Sequence, residues 1–225
     1  MTWADFAKTA IWIASMGAVL FAAAGTIDWD GAWIFLLEFV LCAGAVMWWL
    51  VRRDPGLFRE RMRSPFQKDQ AVWDKVFMGL IIVIWFGWLA LMALDAKRWG
   101  VSRVPAVVEG VGAVLIALGF AVVWRVFREN SFAAPVIKIQ PERGQRVIST
   151  GPYRIVRHPM YAGSALYLLG MPLLLGSWLG LLVLPLILGV LAVRIILEEA
   201  VLREGLPGYA DYAARVRCRL IPGVW

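Results

Sequence analysis

The chain has 225 residues, of which 61% are hydrophobic and only 17% charged, and its net charge is +7. A soluble domain is about 45–50% apolar and about 25% charged, so this composition excludes one, and disorder is excluded because it needs low hydrophobicity. The surplus apolar residues must face a lipid bilayer. The basic residues are then expected to mark one side of a membrane rather than a nucleic-acid surface.

Apolar runs long enough for membrane helices follow one another along the chain. A spanning helix needs about 20 mostly apolar residues, and four such runs are Ala10–Thr26, Gly31–Val51, Val76–Leu94 and Pro105–Phe127. A longer run, Met160–Leu197, is interrupted by Pro172 and by Gly176-Ser177-Trp178, which predicts two helices joined by a tight turn. We therefore predict an all-α, polytopic transmembrane bundle with six spans, or five if the last run is one long tilted helix.

The basic residues of the loops predict the orientation of these spans. With a cytoplasmic N-terminus, 20 of the 23 lysines and arginines lie on the inner side, and only Lys97, Arg98 and Arg103 lie outside. Both termini are therefore expected in the cytoplasm. Residues 1–127 form four N-terminal spans in this scheme. Residues 128–225 form a core of a cytoplasmic loop, a helical hairpin and a cytoplasmic C-terminal segment, where chemistry is expected.

A dense group of polar and aromatic residues, together with a proline and a glycine, lies at the start of the last apolar run. Its members are Tyr153, Arg157, His158, Pro159, Tyr161 and Gly163. Pro159 suits the first position of a helix, where its missing N–H is not needed, and Gly163 leaves room for another backbone or for a ligand. A helix start also attracts anions. The alternative is a basic flank that contacts lipid phosphates.

Two further groups lie in the C-terminal part of the chain. Glu198 and Glu199 close the last apolar run, spaced i, i+4 from Arg194 and Arg203 respectively. This spacing is typical of ion pairs on a helix surface, but ionisable residues at a membrane boundary are also often functional. The second group places Tyr209, Tyr212 and Arg215 on one helical face, which is typical of an amphipathic interfacial helix.

No nucleotide-binding or metal-binding motif accompanies these groups. Gly110-Val111-Gly112 lacks the third glycine of a dinucleotide-binding loop and lies within a predicted membrane helix. One histidine and two separated cysteines offer neither a zinc site nor a disulfide framework. We therefore expect no metal and no nucleic-acid partner.

The block from Gly151 to Gly163 resembles the signature of the isoprenylcysteine carboxyl methyltransferase family. The downstream order Glu198-Glu199, Leu202, Tyr209, Tyr212, Val216 and Pro222 resembles the same family. The N-terminal helices resemble its bacterial members, which implies the bacterial inner membrane. The resemblance implies an integral-membrane methyltransferase that uses S-adenosylmethionine without a Rossmann domain.

The resemblance also implies roles for individual residues. The implied cofactor-binding residues are Tyr153, His158, Pro159, Tyr161, Gly163, Glu199 and Tyr212. The implied catalytic residues are Arg157, Glu198 and Glu199, with no separate roles for the two glutamates. The acceptor would be lipidic or a small hydrophobic molecule among membrane lipids. A carboxylate acceptor is favoured because it is already ionised at neutral pH, and an amine or a thiol stays open.

Two other functions remain open at this point. Steroid-reductase relatives carry a similar R-H-P-x-Y-x-G block, which would make the protein an NADPH-dependent membrane reductase. The Glu198-Glu199 pair and its spacing from Tyr212 favour the methyltransferase. A non-catalytic scaffold or small transporter is the third possibility, but the inverted halves that many transporters show are not visible. The sequence leaves the acceptor atom and the oligomeric state undetermined.

Overall fold

The computed structural model describes residues 3–67, 70 and 72–225. Lys68, one of the basic residues assigned above to the inner side, lies outside these residues. Within the described part of the chain all regular structure is helical, as predicted. The α-helices are α1 Trp3–Ala24, α2 Asp30–Arg53, α3 Pro55–Arg61, α4 Val72–Ala93, α5 Ala106–Glu129, α6 Pro159–Leu174, α7 Trp178–Gly205 and α8 Tyr209–Arg215.

Five helices of the described residues are long and apolar enough to cross a membrane. They are Trp3–Ala24, Asp30–Arg53, Val72–Arg98, Ala106–Glu129 and Trp178–Gly205, the third including a π-helical turn after α4. The predicted break in the run Met160–Leu197 is confirmed, but α6 has only 16 residues. At 1.5 Å per residue it spans about 24 Å, less than the hydrocarbon core of about 30 Å. The sixth predicted span is therefore a short helix.

The turn between α6 and α7 forms where the sequence predicts it. Gly176 adopts a left-handed conformation with φ 73°, which a glycine enters without a steric penalty. The side chain of Ser177 then accepts a hydrogen bond from the Gly180 amide at 2.9 Å and caps α7. Pro172 lies inside α6 and does not end it. The break therefore depends on the glycine and the serine cap.

A buried carboxylate fixes this turn against the rest of the bundle. Asp95 lies in the π-helical turn after α4 and is fully buried. Its Oδ2 accepts hydrogen bonds from the hydroxyls of Ser102 and Ser177, both at 2.6 Å, and from the Leu179 amide at 3.1 Å. Asp95 thereby joins α4, the loop before α5 and the start of α7.

Two glycine pairs bring α5 and α6 together, and these helices make the most extensive helix–helix contact. A Cβ on Gly112 would lie 2.7 Å from the Gly170 carbonyl oxygen, and one on Gly119 would lie 2.6 Å from that of Gly163. Small residues at such contacts are typical of membrane helices. Gly112 therefore serves helix packing. The contact with α5 also holds α6, which carries the His158–Tyr161 block at its start.

The Gly112→Ala variant tests this packing. Its new Cβ would lie 2.4 Å from the Leu174 amide nitrogen, so the two backbones must separate. We expect the free energy of unfolding to fall by about 1–3 kcal/mol, as for other overpacked sites. Gly110→Ala is the matched control on the same helix, because nothing lies within 4 Å of its new Cβ.

The measurement is the thermal unfolding midpoint of both variants in one detergent. The control is expected to match or slightly exceed the wild type, since alanine favours a helix by about 1 kcal/mol over glycine. Equal losses in the two variants would contradict the packing role of Gly112.

Candidate active site

A pocket of about 820 Å³, its open mouth included, lies where α6 begins and α7 ends. The loops before α6 and the helix α8 complete its walls. The sequence-predicted site residues that line it are Tyr153, Arg157, His158, Pro159, Tyr161, Glu198 and Tyr212. Glu199 and Gly163 are not among the lining residues.

Gly163 lies against a helix instead of the pocket. A Cβ at this position would lie 2.9 Å from the Gly119 carbonyl oxygen and 3.1 Å from the Val122 side chain. Of the two uses that the sequence leaves open for this glycine, the structure provides the close approach of a neighbouring backbone. The assignment of Gly163 to the cofactor stays a prediction without a contact to the pocket.

The two adjacent glutamates of α7 face different surroundings. Consecutive residues are rotated by about 100° around an α-helix, so only one of the pair can point into the pocket. Glu198 lines the pocket, and its Oε2 accepts a hydrogen bond from the Tyr161 hydroxyl at 2.6 Å. Glu199 is 3% exposed and lies behind the pocket wall. The geometry thus separates two residues that the sequence cannot distinguish.

Glu199 is the centre of a buried charge cluster. Its Oε1 accepts a hydrogen bond from Nε of Arg157 at 2.6 Å and lies 3.1 Å from Nε2 of His158. Its Oε2 accepts a hydrogen bond from Nε of Arg219 at 3.3 Å. Arg157 and His158 are themselves buried. The cluster therefore connects the start of α6, the end of α7 and the C-terminal segment.

Arg157 uses its remaining donors to hold that C-terminal segment. Its Nη1 donates to carbonyl oxygens at and beyond the end of α8, those of Ala213, Val216 and Arg217 at 3.3, 2.9 and 3.1 Å. The backbone amides of Arg157 and His158 donate to the carbonyls of Cys218 and Arg219, both at 2.9 Å. Such contacts satisfy carbonyls that a helix end leaves unpaired. Arg157 lines the pocket, but its guanidinium is committed to these groups.

Three tyrosines form an aromatic wall of the pocket. The Tyr212 hydroxyl donates to the Tyr153 carbonyl at 2.8 Å, and Asn130 donates to the Tyr153 hydroxyl at 2.7 Å. The Tyr209 hydroxyl is buried and has no partner among the described residues. Burial raises the pKa of Tyr212 to about 12 and raises those of Tyr153 and Tyr209 as well, so all three phenols are neutral near pH 7.

The structure differs from the sequence-based interpretation of α8 as an interfacial helix. Tyr209 and Tyr212 are only 4% and 2% exposed, and they pack against Leu202 and Val147. Arg215 alone of the predicted face is exposed. The tyrosine face is therefore buried against the protein and not against lipid.

A second polar chain runs from α4 to the pocket. Asp74 is fully buried, and its Oδ1 lies 3.6 Å from Nη1 of Arg194. Nε of Arg194 donates to the Tyr161 hydroxyl at 3.0 Å, and this hydroxyl donates to Glu198. Nη2 of Arg194 donates to the Pro135 carbonyl at 2.8 Å. Arg194 therefore fixes the tyrosine that positions the pocket carboxylate.

The i, i+4 ion pairs that the sequence offers for the end of α7 do not form among the described residues. Arg194 pairs with Asp74 on α4 instead of Glu198, and Glu199 pairs with Arg157 and Arg219 instead of Arg203. Burial explains the difference, because Arg194 and Glu199 face the protein interior, where partners come from other segments.

Two polar side chains that line the pocket, Arg146 and Tyr209, are among the lining residues that the sequence does not assign to the site. Tyr209 shares a helical face with Tyr212, so the spacing alone could identify it. Arg146 lies in a loop among other basic residues, and nothing in the sequence distinguishes it. Within the described residues, no group of three or more histidine, cysteine or acidic side chains is placed to hold a metal ion.

The Glu199→Ala variant tests the role of the charge cluster. It leaves the buried guanidinium of Arg157 without its carboxylate, and breaking a buried pair in this way costs about 3–5 kcal/mol. We expect a lower unfolding midpoint and faster proteolysis of the segment after α8. Glu204→Ala, an exposed glutamate of the same helix, is the matched control. Unchanged proteolysis of the C-terminal segment in Glu199→Ala would show that the cluster does not hold it.

Comparison with known proteins concerns the part of the chain from α5 to α7. Residues 108–207 match the sequence profile of the family described as phospholipid methyltransferase. A search of curated proteins found no match. The matched segment contains the His158–Tyr161 block and both glutamates of α7, and it ends before α8. Residues 108–207 are therefore similar to the phospholipid methyltransferase family, within the group of integral-membrane methyltransferases to which the sequence resemblance points.

Proposed function

We propose that the pocket binds S-adenosylmethionine and that the protein methylates an amine nitrogen in the headgroup of a membrane lipid. The observation that carries this proposal is the position of Glu198. This carboxylate lines the pocket near the end of an apolar helix, in a segment similar to the phospholipid methyltransferase family. The end of a membrane-spanning helix is where lipid headgroups are expected, and the charge distribution predicts that this end of the bundle faces the cytoplasm.

The residues of the pocket fit the chemistry of the cofactor. Aromatic faces and a carboxylate stabilise a cation such as a sulfonium, and Tyr153, Tyr212 and Glu198 supply them. The buried hydroxyl of Tyr209 has no partner among the described residues and is free to bond to the nucleoside. Leu202 adds an apolar surface to the wall. These features together support S-adenosylmethionine as the ligand.

The pocket residues would act by alignment and by proton transfer. Bound S-adenosylmethionine supplies a methyl group on a positively charged sulfur. The lone pair of the acceptor nitrogen forms the new N–C bond while the C–S bond breaks and its electrons stay on sulfur. Glu198 accepts the proton that the amine loses, and Tyr161 holds the carboxylate in place. Alignment of the reactants provides most of the rate enhancement.

The charge of Glu198 supports an amine rather than the carboxylate acceptor that the sequence favours. An ionised carboxylate would be repelled by Glu198. Of the cations that line the pocket, Arg157 is engaged with Glu199 and Lys138 with Glu60, and Arg146 is exposed to solvent. A protonated amine is attracted instead, and it can give its proton to the same group that attracts it. The preference for an amine therefore follows from electrostatics.

The test is methyl transfer from isotopically labelled S-adenosylmethionine with the purified protein in lipid vesicles. Parallel vesicles contain phosphatidylethanolamine, a lipid with a free carboxylate, or phosphatidylcholine alone. We expect label in the phosphatidylethanolamine headgroup, detected by mass spectrometry, and none in the other two samples. Label only in the carboxylate lipid would overturn the amine assignment. Release of no S-adenosylhomocysteine from any sample, together with no binding of S-adenosylmethionine, would overturn the methyltransferase itself.

The Glu198→Gln variant tests the base. A positioned general base contributes about 10²–10⁴-fold to a rate, so we expect kcat to fall at least 100-fold at neutral pH. The affinity for S-adenosylmethionine should fall as well, because the sulfonium loses a neighbouring carboxylate. The loss in kcat should shrink as the pH rises, because an amine that is already neutral needs no base. Glu204→Gln, on the exposed face of the same helix, is expected to keep wild-type kcat. A uniform loss at every pH would contradict the role of Glu198 as the base.

A further inference from the structure

The pocket contains two charged side chains of opposite sign that lack an ion-pair partner among the described residues. Glu198 is bonded only to the neutral Tyr161 hydroxyl, and Arg146 has no hydrogen bond or ion pair in that part of the chain. The other pocket cations are occupied. Lys138 pairs with Glu60 and donates to Gln67 at 2.9 Å, and Arg157 pairs with Glu199. Arg146 is thus the pocket cation that is free to bind an anion.

The loop that carries Arg146 is anchored at its base. Gln140 is fully buried, and its Nε2 donates to the Phe132 carbonyl at 2.9 Å. The Gln140 amide donates to the side chain of Gln145 at 2.7 Å, and the Gln145 amide donates to the Gln140 carbonyl at 3.3 Å. These bonds close the loop around Gly144, which has a left-handed φ of 63°. The backbone beside Arg146 is therefore fixed, while its side chain is exposed at the mouth of the pocket.

We infer that Arg146 binds the α-carboxylate of S-adenosylmethionine. This inference rests on the proposed function and assigns one further binding residue to it. The guanidinium is the side chain best suited to a carboxylate, because its planar fork donates two parallel hydrogen bonds. The cofactor carries a sulfonium cation and a carboxylate anion, so Glu198 and Arg146 match its two ends. In this orientation of S-adenosylmethionine, the transferable methyl group points toward Glu198 and the amino-acid end of the cofactor lies at the mouth of the pocket.

The test compares two ligands that differ by one group, S-adenosylmethionine and its decarboxylated form. Affinity for each is measured by calorimetry on the full-length protein in lipid nanodiscs, for wild type, Arg146→Gln and Arg154→Gln. Arg154 is the matched control, since it is an exposed arginine of the same connection that does not line the pocket. The unfolding midpoint of each variant confirms that the fold is kept.

The expected result is a preference for S-adenosylmethionine over its decarboxylated form that disappears only in Arg146→Gln. Wild type and Arg154→Gln should bind S-adenosylmethionine about tenfold or more tightly than the decarboxylated form, and Arg146→Gln should bind the two equally. Affinity of Arg146→Gln for the decarboxylated form should equal that of wild type. A preference for the carboxylate that survives in Arg146→Gln would overturn the inference, as would equal weakening of both ligands. Wild-type protein that binds neither ligand would overturn the proposed function instead.

Discussion

The structure around the pocket depends on one buried carboxylate, that of Glu199. Arg157 and His158 from the start of α6 and Arg219 from the C-terminal segment converge on it. The guanidinium of Arg157, which is buried, would be costly inside the protein without this carboxylate. Arg157 can be buried because Glu199 is there, and once buried it binds the carbonyls beyond α8. The C-terminal segment is thereby held across the start of α6. Without this cluster, the C-terminal segment would lose its bonds to the Arg157 guanidinium, and α8 would be held by the packing of its tyrosines and by the hydrogen bond from Tyr212 to Tyr153.

Glu199 binds the buried cluster, while its neighbour Glu198 faces the pocket instead. The helix rotation between adjacent residues leaves one carboxylate for structure and one for the pocket. The pocket carboxylate is positioned through Tyr161 by Arg194, which in turn needs Asp74 of α4. The N-terminal helices thus contribute to the site although none of the sequence-predicted site residues lies in them. The glycine contacts between α5 and α6 complete the arrangement by fixing the helix that carries Tyr161.

Hydropathy was enough to predict most of the fold, because a bilayer constrains helix length directly. The sequence placed the second, third and fourth spans and the break before Trp178 within about four residues of their observed positions, whereas α1 begins at Trp3, seven residues before the predicted Ala10. The predicted break already implies a short α6, but the prediction still counted this helix of 16 residues as a sixth span. The sequence also predicted several of the residues that line the site, but it did not predict which residues they pair with. Arg194 and Glu199 pair across helices, and local spacing carries no information about such pairs. The same holds for Gly163, whose contact is a helix backbone, and for the free cation Arg146.

The central claim is that the pocket closed by α8 is the binding site of S-adenosylmethionine. The most direct measurement is hydrogen–deuterium exchange of the full-length protein with and without saturating S-adenosylhomocysteine. The proposed site predicts slower exchange in the loop around Arg146, at the start of α6 and in α8, and unchanged exchange in the turn beside Asp95 at the other end of the bundle. Binding of the ligand without protection of α8 and the start of α6, or with protection confined to other helices, would contradict it.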